Sequence, residues 1–228
     1  MSLERHRDFR IQKLSIGAER APLMVIDNVV ANPDELVEIA ATKTYGNVET
    51  YYPGIRAKVP LTFQRFLLDI LGGEIREFFG LDGTLRFTSC HFSLVTTRPD
   101  QLSYLQRVPH VDSLNSKELA LVYYLFKTDL GGTAFYRHRN TGFEVVDATR
   151  NPEFWRHLQV ERAEVERTST GYISGDTPFY EQIGQQEGVF NRMLVYRRTS
   201  LHSGTPKLSL TPETDPRKGR LSINGFIA

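Results

Sequence analysis

The spacing of apolar and polar positions changes texture near residue 84. Before it, residues 22–30 (PLMVIDNVV) are apolar and β-branched, as a buried strand requires. They run into Asn32-Pro33-Asp34-Glu35, where a capping residue, a proline suited to the first turn and an acidic pair predict a helix over 33–44. Phe63, Phe66, Leu67, Ile70 and Leu71 recur at three- and four-residue intervals. They predict a second amphipathic helix within 61–79, which Gly72-Gly73 should interrupt or bend. Beyond 84 the chain breaks into short runs rich in Val, Tyr, Phe and Thr, parted by Gly, Pro and Asn. These predict antiparallel strands near 85–96, 118–126, 133–137, 192–198 and 220–227. The stretch 151–188, with Trp155, Leu158, Val160 and a second cluster over 179–183, reads as a helical insertion above that core.

Helices before and strands after give a mainly β, α+β fold class with flanking helices. No fixed-period repeat or heptad appears, which excludes solenoids and filaments. With 228 residues, 40% of them hydrophobic, the chain most simply forms one domain, 1–228. Residues 1–80 then supply a strand and supporting helices, and 84–228 the β core with its insertion at about 150–188. A formal net charge of +1 gives no bulk attraction to nucleic acid or to an anionic membrane. A small molecule or peptide is the expected partner, and the oligomeric state stays open. Cys90 stands alone in an apolar run and is expected as a reduced, packed thiol. The charged N-terminal residues and the lack of an apolar stretch of about 20 residues lead to an expected cytoplasmic location.

Chemistry concentrates in three places. In Pro109-His110-Val111-Asp112-Ser113 an imidazole and a carboxylate stand two residues apart, so in an extended segment both leave the same face. A third ligand for one cation is best supplied by His202, which follows the strongly β run Met193-Leu194-Val195-Tyr196 and precedes an expected Ser203-Gly204 turn. Two histidines and one carboxylate leave three octahedral positions open, as Fe(II) needs for a bidentate co-substrate and dioxygen, although the same donors suit Zn(II). Finally, Arg220-Leu221-Ser222 puts a guanidinium and a hydroxyl on one strand face, a seat for a carboxylate.

Taken in order, His110, Asp112, His202 and Arg220 resemble the 2-oxoglutarate and Fe(II) dependent dioxygenases. The likeness is nearest to the prolyl 4-hydroxylase-like branch, through Val25-Ile26-Asp27-Asn28 with its helix, the strand over 119–125, Gly131-Gly132-Thr133-Ala134-Phe135 and the closing 219–226. It also extends to a set of bacterial proteins within that superfamily. The resemblance implies a double-stranded β-helix (jelly-roll) core with the N-terminal helices packed on it. It further implies His110, Asp112 and His202 as metal ligands and catalytic residues, and Fe(II) with 2-oxoglutarate. The activity implied is oxidation, by default hydroxylation of a small molecule or peptide side chain, with formation of succinate and carbon dioxide.

Several residues leave alternatives open. Arg217 rivals Arg220 as anchor, but Asp215-Pro216-Arg217-Lys218-Gly219 reads as a turn whereas Leu221-Ser222-Ile223 alternates. Tyr124 and Tyr104 each offer a hydroxyl to the co-substrate. His138, in a polar turn-like sequence, is expected to face solvent or substrate, and His91 to be a hydrogen-bonded structural histidine. Arg197-Arg198 reads as a salt-bridged or solvated pair. Residues 47–56 and 140–174 carry no motif and are the expected substrate loops, and 206–218 a hydrophilic connection. A non-catalytic jelly-roll protein holding a metal or ligand, and a zinc hydrolase, are the competing functions.

Overall fold

The computed structural model describes residues 3–47, 51–207 and 211–228. The expected segments 47–56 and 206–218 therefore lie partly outside the described residues. In chain order the elements are β1 (Arg10–Ile16), β2 (Ala21–Asp27), α1 (Pro33–Ala41), β3 (Gly46–Asn47), β4 (Gly54–Lys58) and α2 (Leu61–Phe79). There follow β5 (Phe87–Val95), a 3-10 turn (Pro99–Gln101), α3 (Tyr104–Arg107), β6 (Leu119–Tyr124), β7 (Gly131–His138) and α4 (Asn151–Thr168). The chain closes with β8 (Tyr180–Gln186), β9 (Met193–Arg197), β10 (His202–Pro206) and β11 (Leu221–Ile227). The strands form an eight-stranded sheet, β1-β2-β9-β6-β11-β5-β4-β3, and a three-stranded sheet, β10-β7-β8. All named pairings are antiparallel.

The central strand β6 shows why the layers assemble. Its sequence LALVYY is apolar at every position because both faces are covered, and its alternation divides the core in two. Leu119, Leu121 and Tyr123 share a cluster with Phe63, Leu67, Leu71, Ile75 and Phe79 of α2. Ala120 and Tyr124 join Leu194 and Tyr196 of β9 and Phe135 of β7 between the two sheets. Removing one such large side chain from water contributes roughly 1.5–3 kcal/mol. A third cluster couples the small sheet to α4 through Ala134, Tyr136, Phe154 and Leu158.

Four expectations are corrected. First, α2 runs unbroken through Gly72-Gly73 and ends at Gly80, which takes a left-handed conformation (φ 59°) while Leu81 N–H reaches the Arg76 carbonyl at 2.9 Å. Buried Leu71 and Ile75 on either side outweigh the roughly 1 kcal/mol helix cost of each glycine. Second, 180–186 is not helical but is strand β8, held by β7 in register from Thr133–Gln186 to His138–Tyr180. Third, Ser203-Gly204 is no turn, since both residues lie in β10 opposite Ala134 and Thr133. Fourth, β1 and β4 are strands where none was expected. Gly131 and Gly132 of β7 permit these close pairings. A Cβ on Gly131 would stand 1.9 Å from the Thr205 carbonyl oxygen, and one on Gly132 1.9 Å from that of Gln186.

Candidate active site

After β9 the chain leaves the large sheet, turns through 198–201 and enters the small sheet as β10, so His202 stands where the sheets meet. It exchanges both backbone hydrogen bonds with His110, at 2.9 and 3.0 Å, which brings the segment 109–113 alongside. The two rings lie 4.5 Å apart, centre to centre. Asp112 is fixed by Arg198 from two directions. Its N–H donates to the Arg198 carbonyl at 2.8 Å, and its own carbonyl accepts from Arg198 Nη2 at 2.6 Å. Glu118 holds the other arm of that guanidinium, which stacks 3.9 Å over the Phe226 ring.

Asp112 Oδ2 is 3.4 Å from His202 Nε2, and Oδ1 is 3.8 Å from His110 Nε2. One ligand atom from each of the three residues falls within 4.8 Å of the others. His202 Nδ1 lies 2.9 Å from the Ser200 carbonyl, which only accepts, so the proton sits on Nδ1 and the Nε2 lone pair faces Asp112. The His110 ring lies on the wall of a cavity with 47% of its side chain exposed. Burial and the nearby His202 hold its pKa down to about 4, with Asp112 opposing. His110 is then uncharged around neutral pH, and the Nε2 of His202 and the Asp112 carboxylate offer lone pairs toward the same point. That donor set fits a divalent cation.

The cavity is about 550 Å³ and is lined by all three residues together with Arg56, Arg220 and Ser222. Arg220 is only 5% exposed and sits beside the rings of Phe126 (5.4 Å) and Tyr124 (6.0 Å). Its Nε donates to the Leu130 carbonyl at 3.1 Å and its Nη2 to that of Gly132 at 2.8 Å. Among the described residues no acid pairs with it, and a buried guanidinium facing a cavity without a counter-ion suits a ligand carboxylate. Ser222 reaches the same cavity, with its hydroxyl donating to Asn224 Oδ1 at 2.7 Å. Arg217 points elsewhere, into an exposed ion pair with Glu38 at 2.6 Å.

Other candidates are placed differently. Tyr124 is buried, and its hydroxyl is shared with Thr133 Oγ1 at 2.7 Å, so Thr133 and not Tyr124 reaches the cavity. Tyr104 donates to the Leu158 carbonyl at 2.6 Å, away from the site. His138 is wholly buried in β7, between Glu161 Oε1 at 3.0 Å and Thr141 Oγ1 at 2.8 Å, and so faces neither solvent nor substrate. His91 keeps a structural contact with Ser89 Oγ at 3.2 Å. Arg197 donates to the Ser116 and Phe79 carbonyls. The segments 47–56 and 140–174, expected as substrate loops without any residue singled out, supply the cavity with Tyr52 and Arg56 from the first and Phe154, Trp155 and Tyr172 from the second.

The fold is shared with HygX and SnoN. HygX from Streptomyces hygroscopicus, solved with nickel and 2-oxoglutarate bound, superposes with a TM-score of 0.57 at 13% identity, over 92% of this chain and 84% of its own. The same protein has been solved with hygromycin B added to nickel and 2-oxoglutarate, and there matches with a TM-score of 0.54 at 14% identity, again over 92% and 84%. SnoN, an alpha ketoglutarate dependent epimerase from nogalamycin biosynthesis, gives 0.51 at 11% identity, over 92% of this chain and 78% of its own. No curated protein matches in sequence. Among the described residues no helix is long and apolar enough to cross a membrane. Residues 7–227 match the model of DUF6445, a family of unknown function, and the chain belongs to that family.

Proposed function

We propose that the protein is a non-haem Fe(II), 2-oxoglutarate dependent oxygenase acting on a small molecule. The observation that carries this reading is one cavity holding both the converging ligand atoms of His110, Asp112 and His202 and a buried guanidinium, Arg220, to which no acid pairs among the described residues. His110, Asp112 and His202 are the metal ligands in this reading, and Arg220 with Ser222 receives the distal carboxylate of 2-oxoglutarate. Bound there, iron with 2-oxoglutarate and dioxygen supplies the power to hydroxylate an unactivated C–H bond, with succinate and carbon dioxide as co-products.

The chain's own part is positioning. Ser200 fixes the His202 tautomer, Arg198 holds the Asp112 backbone in place, and apolar side chains line much of the cavity around the reacting groups. We read the two sheets as a jelly-roll core, the whole chain as one oxygenase unit, and the prolyl 4-hydroxylase-like placement as resting on the sequence motifs. The test is anaerobic titration of the metal-stripped protein with Fe(II) and 2-oxoglutarate. Wild type is expected to develop the weak visible charge-transfer band of the chelate, and in oxygen to form succinate slowly without substrate. Asp112→Ala is expected to do neither, and equal succinate from both proteins would remove this site from the chemistry.

A further inference from the structure

The cavity holds a second guanidinium that none of the roles above uses. Arg56 of β4 is in register with Ser93 of β5, which is itself opposite Ser222 of β11. Residues paired across an antiparallel sheet share a face, so Arg56 leaves the sheet on the side of Ser222 and the Arg220 seat. Its guanidinium lies 4.2 Å over the Tyr52 ring, and its Nε is buried without an acceptor. Among the described residues no acid forms an ion pair with it, and Asp112 is the acid whose charge it feels.

The charges lining the cavity do not balance under the proposed function alone. Asp112 is the one acid in the lining, and Arg56 and Arg220 are its two permanent cations. A divalent ion and doubly ionised 2-oxoglutarate cancel each other. Asp112 offsets one arginine, and a single positive charge is left beside the metal cluster. An unpaired charge in a cavity walled mostly by apolar side chains is costly, and a singly charged anion in the remaining space removes it. Around that space the walls are apolar and aromatic, from Leu105, Val111, Phe154 and Tyr172, with Trp155 at the rim and 46% exposed.

We propose that Arg56 recognises a carboxylate on the primary substrate, and that this substrate is a monocarboxylic acid with an apolar or aromatic body. The inference rests on the oxygenase reading, which assigns Arg220 to the co-substrate. It assigns Arg56 a role in specificity, through a planar fork that Tyr52 holds flat for two parallel hydrogen bonds.

The probes are N-acetylleucine, N-acetylphenylalanine, N-acetyltryptophan and 3-phenylpropionate, each against its primary amide. Binding is measured calorimetrically to protein loaded with Ni(II), with and without 2-oxoglutarate. Wild type should bind at least one acid about tenfold or more tighter than its amide, the discrimination expected of a bidentate charged pair. Arg56→Gln should lose that preference while keeping 2-oxoglutarate affinity within about threefold, and Arg56→Lys should retain part of it. Thermal melts of both variants separate lost recognition from lost fold, and the wild-type comparison decides even where a variant does not fold.

No acid preference anywhere in the panel, total absence of binding included, overturns the proposal. So does a fall in 2-oxoglutarate affinity in Arg56→Gln as large as that in Arg220→Ala, which would make Arg56 a second co-substrate anchor. Wild type that ignores 2-oxoglutarate yet prefers acids through Arg56 would sink the oxygenase reading and leave this recognition standing. The reverse pattern would sink the recognition alone.

Discussion

Arg217 and Arg220 carry the same charge three residues apart, and their surroundings give them opposite uses. Arg217 reaches solvent and pairs with Glu38, whereas Arg220 is buried among carbonyl oxygens and aromatic rings with its charge unanswered. Truncating a buried charged partner leaves the other side unpaired, at roughly 2–5 kcal/mol. Arg220→Ala is therefore expected to weaken 2-oxoglutarate binding by about 30-fold or more, at about 1.4 kcal/mol per decade. Lysine should rescue part of this and Arg217→Ala should change little. Calorimetric titration of the Ni(II) protein reads all three, and a loss in Arg217→Ala with none in Arg220→Ala would reverse the assignment. The choice between these arginines was legible in sequence because Leu221-Ser222-Ile223 alternates while Asp215-Pro216 turns. Arg56 was not legible, since only the register of β4 on β5 carries it to the cavity. His138 was misread because its polar neighbours suggest a turn, while its partner Glu161 lies on α4, 23 positions away. Cys90 behaves as its apolar run implies, and burial pushes its pKa up to about 12. The thiolate is the reactive form, so a thiol reagent at pH 8 is expected to label native protein very slowly and unfolded protein at once. Rapid labelling of the native state would place that thiol at the surface.

Elements whose stability comes from their own covered faces were the legible ones. Helix α1, helix α2 and strands β2, β5, β6, β9 and β11 announce themselves because each buries a stripe or both faces. Strands β1, β4 and β8 do not. In β8, YEQIGQQ offers Ile183 as its one β-branched side chain and borrows its conformation from β7, and β1 is an edge strand with charged residues along RIQKLSI. Glycine shows the same division between local and tertiary cause. Gly73 sits inside α2 with nothing within 4 Å of an added Cβ, so Gly73→Ala removes backbone freedom from the unfolded chain at no steric cost. It is expected to stabilise by about 0.5–1 kcal/mol. That corresponds to a rise in Tm of about 1–4 °C. Gly132→Ala would drive a Cβ into the Gln186 carbonyl and disturb the β7 carbonyl that holds Arg220. It is expected to lower Tm and 2-oxoglutarate affinity together. Thermal melts of the two variants side by side check both signs, and a stabilised Gly132→Ala would contradict the strand packing described.

At the scale of the whole molecule, the site sets stability against function. Three ligand atoms converge where β10 meets the segment 109–113, and among the described residues no Lys or Arg forms an ion pair with the Asp112 carboxylate. A fold that keeps such a cluster tolerates a local cost, and that cost predicts how the two states of the protein respond to one substitution. Asp112→Asn replaces an acceptor by an amide whose N–H groups can donate to a histidine Nε2, and it removes the site's negative charge. In metal-stripped protein the variant is therefore expected to melt at the same temperature as wild type or above it. Adding Ni(II) with 2-oxoglutarate should reverse the order. A ligand at a hundred times its Kd stabilises the state that binds it by about 2.7 kcal/mol. For a domain of this size the wild-type Tm should then rise by about 5–10 °C. The variant, lacking the carboxylate, should rise little. A variant clearly less stable than wild type without metal would mean that Asp112 serves the fold through contacts with protein. Equal metal-induced shifts in both proteins would place the ion at some other site. The expected crossing of the two melting orders is the signature of a cluster maintained for a cation and not for the core.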